Sequence, residues 1–345
     1  MNLGLKDNQG SSKTKLEERG TEYNLKAPVT GAVTINNFIV VSFGDGKVRF
    51  FSQNNEPFVV QAHKGVILSI AGIEDSVLTG GEDGRFLKIS DNGNINEIAN
   101  FGTQWIDAVA SYKMNYACSS GRKAYLWTED KETALTLDNP STVGGLSFDE
   151  TGNRLAVSSY GGVTVWEKGN RRWKSSRFVW KGSHGKVTFS PDGKYLISAM
   201  QENEIHGWRI RDKTDLTMSG YPSKVKSLTW VGDTPHLVTS GANEAICWPF
   251  DGKGPLGRKP ICVANGGNQN ATFVQALPDE NAVFVGFYDG SVLLSEIDET
   301  KKSYPIRSQT GYEVSVISIS SDKKYILIGD IKGNVLCSPL WAGEL

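Results

Sequence analysis

Four histidines, His63, His184, His206 and His236, are the residues of this chain best suited to acid–base or metal chemistry. A zinc centre needs ligands at short, paired spacings. Neither these histidines nor Cys118, Cys247, Cys262 and Cys337 supply them, so no metal is expected. No calcium loop of the D-x-[DN]-x-[DN]-G form occurs either. Asp149, Asp192, Asp279 and Asp322 recur at one place, where an apolar run gives way to a polar turn, as in FSPDGKYL over residues 189–196. That recurrence argues for turn chemistry over catalysis. Residues 252–257 (GKGPLG) have phosphate-loop spacing, but Arg258 and Lys259 stand where Lys and Ser/Thr are required, and Pro260 leads into a strand. A phosphate loop needs a helix N-terminus to hold its anion. No catalytic residue and no cofactor are therefore expected. The longer connection over residues 248–260 reads as a tolerated Gly/Pro/basic insertion, or as a loop presented to an acidic partner.

One stretch could touch nucleic acid. Residues 168–181 (KGNRRWKSSRFVWK) interleave six basic side chains with Trp173, Phe178 and Trp180, a pattern able to stack and pair with single strands. The competing reading is an outer strand whose charges block edge-to-edge aggregation. A formal net charge of −1 offers no global field for phosphate, which favours the second reading and leaves nucleic acid unlikely.

These residues are carried by a repeat. A short apolar or β-branched run, a small residue, a tight polar turn and a second apolar run occur eight times, for example VVSFGDGKVRFF (residues 40–51), VLTGGEDGRFLKI (77–89) and VFVGFYDGSVLLS (283–295). The turns centre near Gly46, Gly84, Lys123, Gly162, Asn203, Asn243, Gly290 and Gly333, a period of roughly forty residues. Asp45-Gly46, Asp83-Gly84 and Asp289-Gly290 are hairpin dipeptides that tolerate positive φ. Between hairpins the chain supplies two further strands per period, such as PFVVQA (57–62) and VILSIAGI (66–73). Four short strands per period predict an all-β β-propeller of four-stranded blades. Eight blades are favoured, with seven as the alternative because the third and fifth hairpins have atypical turns. The last hairpin is followed only by residues 339–345, so residues 22–26 are expected to close the ring as the outer strand of the last blade. Residues 21–345 then form one propeller domain. The polar composition of residues 1–20 reads as a disordered tail without the apolar core of a secretory signal. No run is apolar and long enough to span a membrane, and scattered cysteines suit a reducing, cytoplasmic setting.

The repeats resemble the Trp-Asp (WD) repeat family of propellers over roughly residues 21–340, with a good period and a degraded motif. Trp127, Trp166, Trp208 and Trp248 fill the family's Trp position, while Phe51, Ile89, Ser295 and Ser338 replace it, and no copy carries the following Asp. The family's structural His–Ser/Thr–Asp–Trp tetrad survives best as His63, Thr79 and Asp83, with Ile89 in place of Trp. His184 is too close to Phe189 to be an equivalent histidine. The resemblance implies a non-catalytic scaffold for another protein. The alternatives are a propeller enzyme with a site over the central channel, or a nucleic-acid binder through residues 168–181. In a propeller, outer-to-inner connections lie on the face of the hairpin turns. There, His63, Lys64, Trp105, His184, Tyr221, Lys224 and Tyr312 are the expected partner-binding residues. Tyr221 and Tyr312, beside Pro222 and Gly311, are expected to be exposed anchors.

Overall fold

The computed structural model describes residues 13–52, 55–129, 131–233, 235–298 and 302–340. Each hairpin folds as its sequence suggests. Phe38–Phe43 (FIVVSF) is almost wholly buried, turns at Asp45-Gly46, and returns as Lys47–Ser52. The second strand of a repeat is packed on both faces, as in Ser76–Gly81, Tyr195–Met200 and Ala282–Phe287, where every residue is buried. Such strands read as unbroken apolar or small runs because neighbouring sheets cover both sides. The turns are sterically demanding. Gly84 has φ +73°, and a Cβ there would sit 2.1 Å from the Gly102 carbonyl oxygen, so only glycine fits.

The strands form seven hydrogen-bonded sheets, six of them four-stranded. This corrects the expectation of eight separate blades. The fourth and fifth hairpins share one six-stranded sheet, because Arg154–Lys168 and Trp173–Phe189 run uninterrupted where the other repeats break. Glycines at positive φ, Gly161, Gly162 and Gly182, bend these two long strands while Tyr160↔Ser183 and Gly162↔Val179 keep them paired.

The first strands of the repeats face a central channel and pack on one another: Val29–Ile35 on Ile67–Ile73, that on Ile106–Tyr112 and that on Val143–Phe148, and, on the other side, Leu228–Val231 on Ala271–Ala276, that on Val314–Ile319, which returns to Val29–Ile35. Apolar clusters fill the wedges between sheets. Val40, Phe50, Ile67 and Leu87 fill the first wedge, and Val29, Phe43, Val316 and Leu327 fill the one where the chain's two ends meet.

At that junction Thr21–Asn24 pairs antiparallel with Asn334–Pro339, Thr21 opposite Cys337 and Asn24 opposite Asn334. The segment before it does not behave as the tail expected over residues 1–20. Lys15–Arg19 is a helix capped by Thr14 and Glu17 in a reciprocal capping box. A helix this short does not hold itself together. It is held by tertiary contacts: Leu16 is buried, Thr14 Oγ1 donates to the Ile306 carbonyl (2.7 Å), and Arg19 donates to the carbonyls of Pro339 (2.9 Å) and Leu340 (2.7 Å). Residues 14–19 therefore belong to the folded body. Residues 1–12 lie outside the described residues.

Candidate interaction face

Hairpin turns and outer-to-inner connections are tied together by backbone hydrogen bonds, which define one face of the disc. His63 N donates to Gly46 O, Phe101 N to Gly84 O, Val143 N to Gly121 O, Gly266 N to Asn243 O and Thr310 N to Asp289 O. Side chains in these connections are held on a rigid rim.

His63 is buried, with Nδ1 2.8 Å from Asp83 Oδ1 and Nε2 2.8 Å from Thr79 Oγ1. Burial, outweighing the attraction of Asp83, keeps the imidazole pKa below its ordinary value, so the ring is neutral at pH 7. A carboxylate only accepts, so Nδ1 carries the proton to Asp83 and Nε2 accepts from the Thr79 hydroxyl. Burial pushes the Asp83 carboxyl up, but hydrogen bonds from His63 and from the backbone N–H of Lys64 and Arg85 outweigh it and hold the pKa low. Asp83→Ala is expected to cost about 1–3 kcal/mol, since His63 Nδ1–H would be buried without an acceptor. The Asp289 carboxylate accepts from the Ser291 amide (3.0 Å) and hydroxyl (2.6 Å), with no buried histidine among these donors, so Asp289→Ala should cost less. Urea unfolding at pH 7 ranks the two, and the reverse order would refute this account of the Asp83 network.

Two expectations about this face are corrected. His184 is not misplaced for a structural role: it is buried, and its Nδ1 lies 2.6 Å from Ser198 Oγ, beside Trp208. Tyr221 is no surface anchor. It is 8% exposed, its hydroxyl lies 2.7 Å from Thr239 Oγ1, and it accepts from Trp248 Nε1 at 2.7 Å. A tyrosine thus takes the linking place that His63 takes in the second repeat, its hydroxyl bridging the second strand of its own repeat to the third. The sequence signal was available: Tyr221 precedes Thr239 by nearly the interval separating His63 from Thr79. With His63, His184 and Tyr221 inside, Lys64, Trp105, Lys224 and Tyr312 are the expected contact residues that the structure leaves exposed.

Further exposed residues, not expected from the sequence, join them. Tyr288 and Ile331 stand in the turns of this face, and Tyr160 at the bend of the long strand Arg154–Lys168. Lys226 Nζ sits 5.2 Å from the Tyr288 ring centroid and 2.5 Å from Glu313 Oε1, while Lys332 Nζ lies 5.8 Å from the Tyr312 ring. These contacts join three successive repeats into one patch of aromatic rings and charges.

Elsewhere the candidates resolve differently. In residues 168–181 the aromatics turn inward: Phe178 is buried against Trp208, and Trp180 stacks on His206 with ring centroids 3.8 Å apart. Lys174 and Lys181 point out, so the alternation is that of an outer strand and offers no stacking platform. The GKGPLG loop lies on the opposite face, where Arg258 pairs with Asp251 at 2.6 Å and Leu256 is exposed. Among the described residues no group of three or more His, Cys, Asp or Glu side chains is arranged to hold a metal ion, and no helix is long and apolar enough to cross a membrane.

No family model matches the chain. Over 99 residues it is 28% identical to a protein described as LEC14B homolog, of Prunus armeniaca, a match covering 27% of this chain and 20% of that protein. Over 133 residues it is 23% identical to Protein ANTHESIS POMOTING FACTOR 1 of Arabidopsis thaliana, covering 37% of this chain and 40% of that one. The matches thus span less than half the length of these curated relatives. Among solved structures, the computationally designed Ika8 protein superposes with a TM-score of 0.73 over 92% of this chain and 98% of its own, at 18% identity. That likeness is one of fold alone, and the fold is an all-β propeller built from four-stranded blades.

Proposed function

We propose that this propeller is a non-catalytic scaffold of divergent Trp-Asp-repeat type that docks another protein on its turn-bearing face. One observation carries the reading. Of the exposed large apolar side chains among the described residues, Trp105, Tyr160, Tyr288, Tyr312 and Ile331 stand on this face, and only Met114 and Leu256 stand on the other. The remainder, Val59, Ile95, Val179 and Tyr304, lie on outer strands. Aromatic side chains bury large areas at small entropic cost, which makes such a set suited to anchoring a partner. The family resemblance rests on the eight hairpins and on the hydrogen-bonded His63, Thr79 and Asp83. In this reading Thr21–Asn24, paired with Asn334–Pro339, is the strand that closes the ring. The buried thiols Cys118 and Cys247, whose pKa values burial raises, act as small hydrophobes and suit a reducing compartment such as the cytoplasm.

The test is a double variant, Tyr288→Ala with Tyr312→Ala, compared with Leu256→Ala on the opposite face. After circular dichroism establishes folding, each is used to capture partners from the native cell. Partner recovery is expected to fall at least tenfold for the double variant and to stay unchanged for Leu256→Ala. The opposite pattern would move the interface to the other face.

A further inference from the structure

Two motifs that the turn-bearing face leaves unused, the start of residues 168–181 and the GKGPLG loop, lie on the outer rim of the opposite face. There each repeat joins its third strand to its fourth. In the fourth, fifth and sixth repeats those connections are residues 169–172, 210–213 and 250–260, and in sequence they hold seven Lys or Arg against two Asp. The connections of the same kind over residues 53–54, 91–94, 129–130 and 297–302 hold two Lys against five Asp or Glu. Basic charge is thus gathered on one arc of this rim, although the formal net charge of the chain is only −1.

The three basic connections are contiguous. Lys213 Nζ donates to the Arg177 carbonyl at 3.1 Å and lies 5.1 Å from the Phe178 ring, which ties the second connection to the strand that follows the first. Phe250 meets Tyr195 edge-on with 5.1 Å between ring centroids, and Tyr195 stands opposite Arg209. Gly254 packs so closely on Tyr195 that a Cβ would come within 2.6 Å of its hydroxyl. The third connection is thereby braced against the neighbouring repeat. Gly254 and Pro255 are buried, Gly254 N donates to the Asp251 carbonyl (3.0 Å), and Arg258 N donates to that of Pro255 (3.0 Å). What this loop holds out is Leu256, 68% exposed, between the exposed Lys253 on one side and Arg258 and Lys259 on the other. The acids of the arc are already matched, Asp212 by Arg209 (2.8 Å) and Asp251 by Arg258 (2.6 Å). Nearer the channel, Arg154 matches Asp149 and Lys194 matches Asp192. Arg171, Arg172, Lys253 and Lys259 are exposed and have no ion pair among the described residues.

We infer that this arc is a docking surface for an anionic lipid bilayer, with Leu256 entering the interface and the cations around it resting on lipid headgroups. Equivalent connections of three adjacent repeats can all touch one plane, which suits a flat partner. A leucine held out between cations is complementary to a surface that offers anions and, just beneath them, hydrocarbon. Nucleic acid offers phosphates without the apolar layer. Single strands also need exposed rings to stack on, whereas Phe178 and Trp180 turn inward. One leucine buries little area, so the attachment is reversible and mainly electrostatic. The arc lies on the other side of the disc from Tyr288 and Tyr312. A propeller resting on a bilayer therefore keeps its turn-bearing face open to a protein partner.

The experiment is flotation of the full chain with vesicles of phosphatidylcholine, either alone or mixed with phosphatidylserine. The protein is expected to float with the mixed vesicles only, and to be released as salt rises. Arg171→Gln with Arg172→Gln, and Lys253→Gln with Lys259→Gln, should each weaken binding at least tenfold, at about fivefold for each cation removed. Leu256→Ser should weaken it about threefold or more and leave the salt dependence intact, since it removes no charge. Lys64→Gln with Lys332→Gln, on the turn-bearing face, should float like the parent once circular dichroism has established that every variant is folded. Failure to float with phosphatidylserine, equal flotation with phosphatidylcholine alone, or an equal loss in the Lys64 and Lys332 variant overturns the docking surface. So does a Leu256→Ser variant that floats like the parent. Equal loss by Leu256→Ser of affinity for a labelled single-stranded oligonucleotide overturns the assignment to lipid, because the leucine would then not be reading hydrocarbon.

Discussion

Deleting residues 1–27 is expected to unfold the protein under conditions where the intact chain is folded, whereas deleting residues 1–20 should only weaken it. The shorter deletion removes the helix Lys15–Arg19. It exposes the surface covered by Leu16, worth about 2–3 kcal/mol, and it removes the charge-assisted hydrogen bonds of Arg19, each about 1.5–3 kcal/mol. It also removes Glu17, which accepts from the Ser308 amide and hydroxyl at 3.1 and 2.8 Å. The longer deletion additionally strips Thr21–Asn24 from Asn334–Pro339 and takes Tyr23 from its edge-on contact with Phe51, 5.5 Å between ring centroids. An unpaired edge and an opened wedge then remain between the first and last sheets. Thermal and urea unfolding of both truncations measure the difference. Identical midpoints for the two would show that Thr21–Asn24 closes nothing.

Acid should destabilise the protein well before its carboxylates titrate. His63, His184 and His206 are all buried, and in each burial is the first cause of a pKa below the ordinary histidine value. His206 is pushed down to about 4. Its ring is stacked on Trp180 and set edge-on to Trp208. Nδ1 lies 3.3 Å from Thr217 Oγ1, and Nε2 is buried with no hydrogen-bond partner among the described residues. A folded-state pKa below the unfolded one means that the unfolded chain binds the proton first. Stability is therefore intact above about pH 6.5 and is lost as pH falls toward 4. For His206 alone the full loss is on the order of 3 kcal/mol. The depressed carboxyls of Asp83 and Asp149 act in the same direction only below about pH 4, so the two windows separate. Urea midpoints between pH 7.5 and 4.5 should fall steadily in the parent protein and less in His206→Phe, which keeps the stack and cannot ionise. An unchanged slope in that variant would show that His206 is not the group responsible.

Much of the scaffold was legible because its signals are local. The alternation and turn residues of 40–51 are enough to make a hairpin, since the side-chain period of a strand and the positive φ of Asp-Gly turns depend on neighbours in sequence. The pairing of His63 with Thr79 and Asp83 was legible for the same reason, all three lying within one repeat. The division of residues 143–218 was not. Whether Arg154–Lys168 breaks or bends at Gly161-Gly162 depends on the partner strand holding Tyr160 opposite Ser183. The helix Lys15–Arg19 was hidden by its polar composition, because Thr14, Glu17 and Arg19 bond to groups about three hundred residues away.

The site divides along the same line. Sequence alone determined that the chain is a repeating all-β ring whose connections share one face, because every repeat writes its own strands and turns. Only the tertiary structure decided which side chains of that face stand exposed. Tyr221 and Tyr312 occupy similar polar, Pro- or Gly-flanked connections, yet Tyr221 turns inward because Thr239 and Trp248 offer its hydroxyl two partners, while Tyr312 stands beside Lys332 and stays in solvent. Lys186 on the strand Trp173–Phe189 likewise lies 6.0 Å from the ring of Phe273 on Ala271–Ala276, a meeting of distant strands that no local pattern relates.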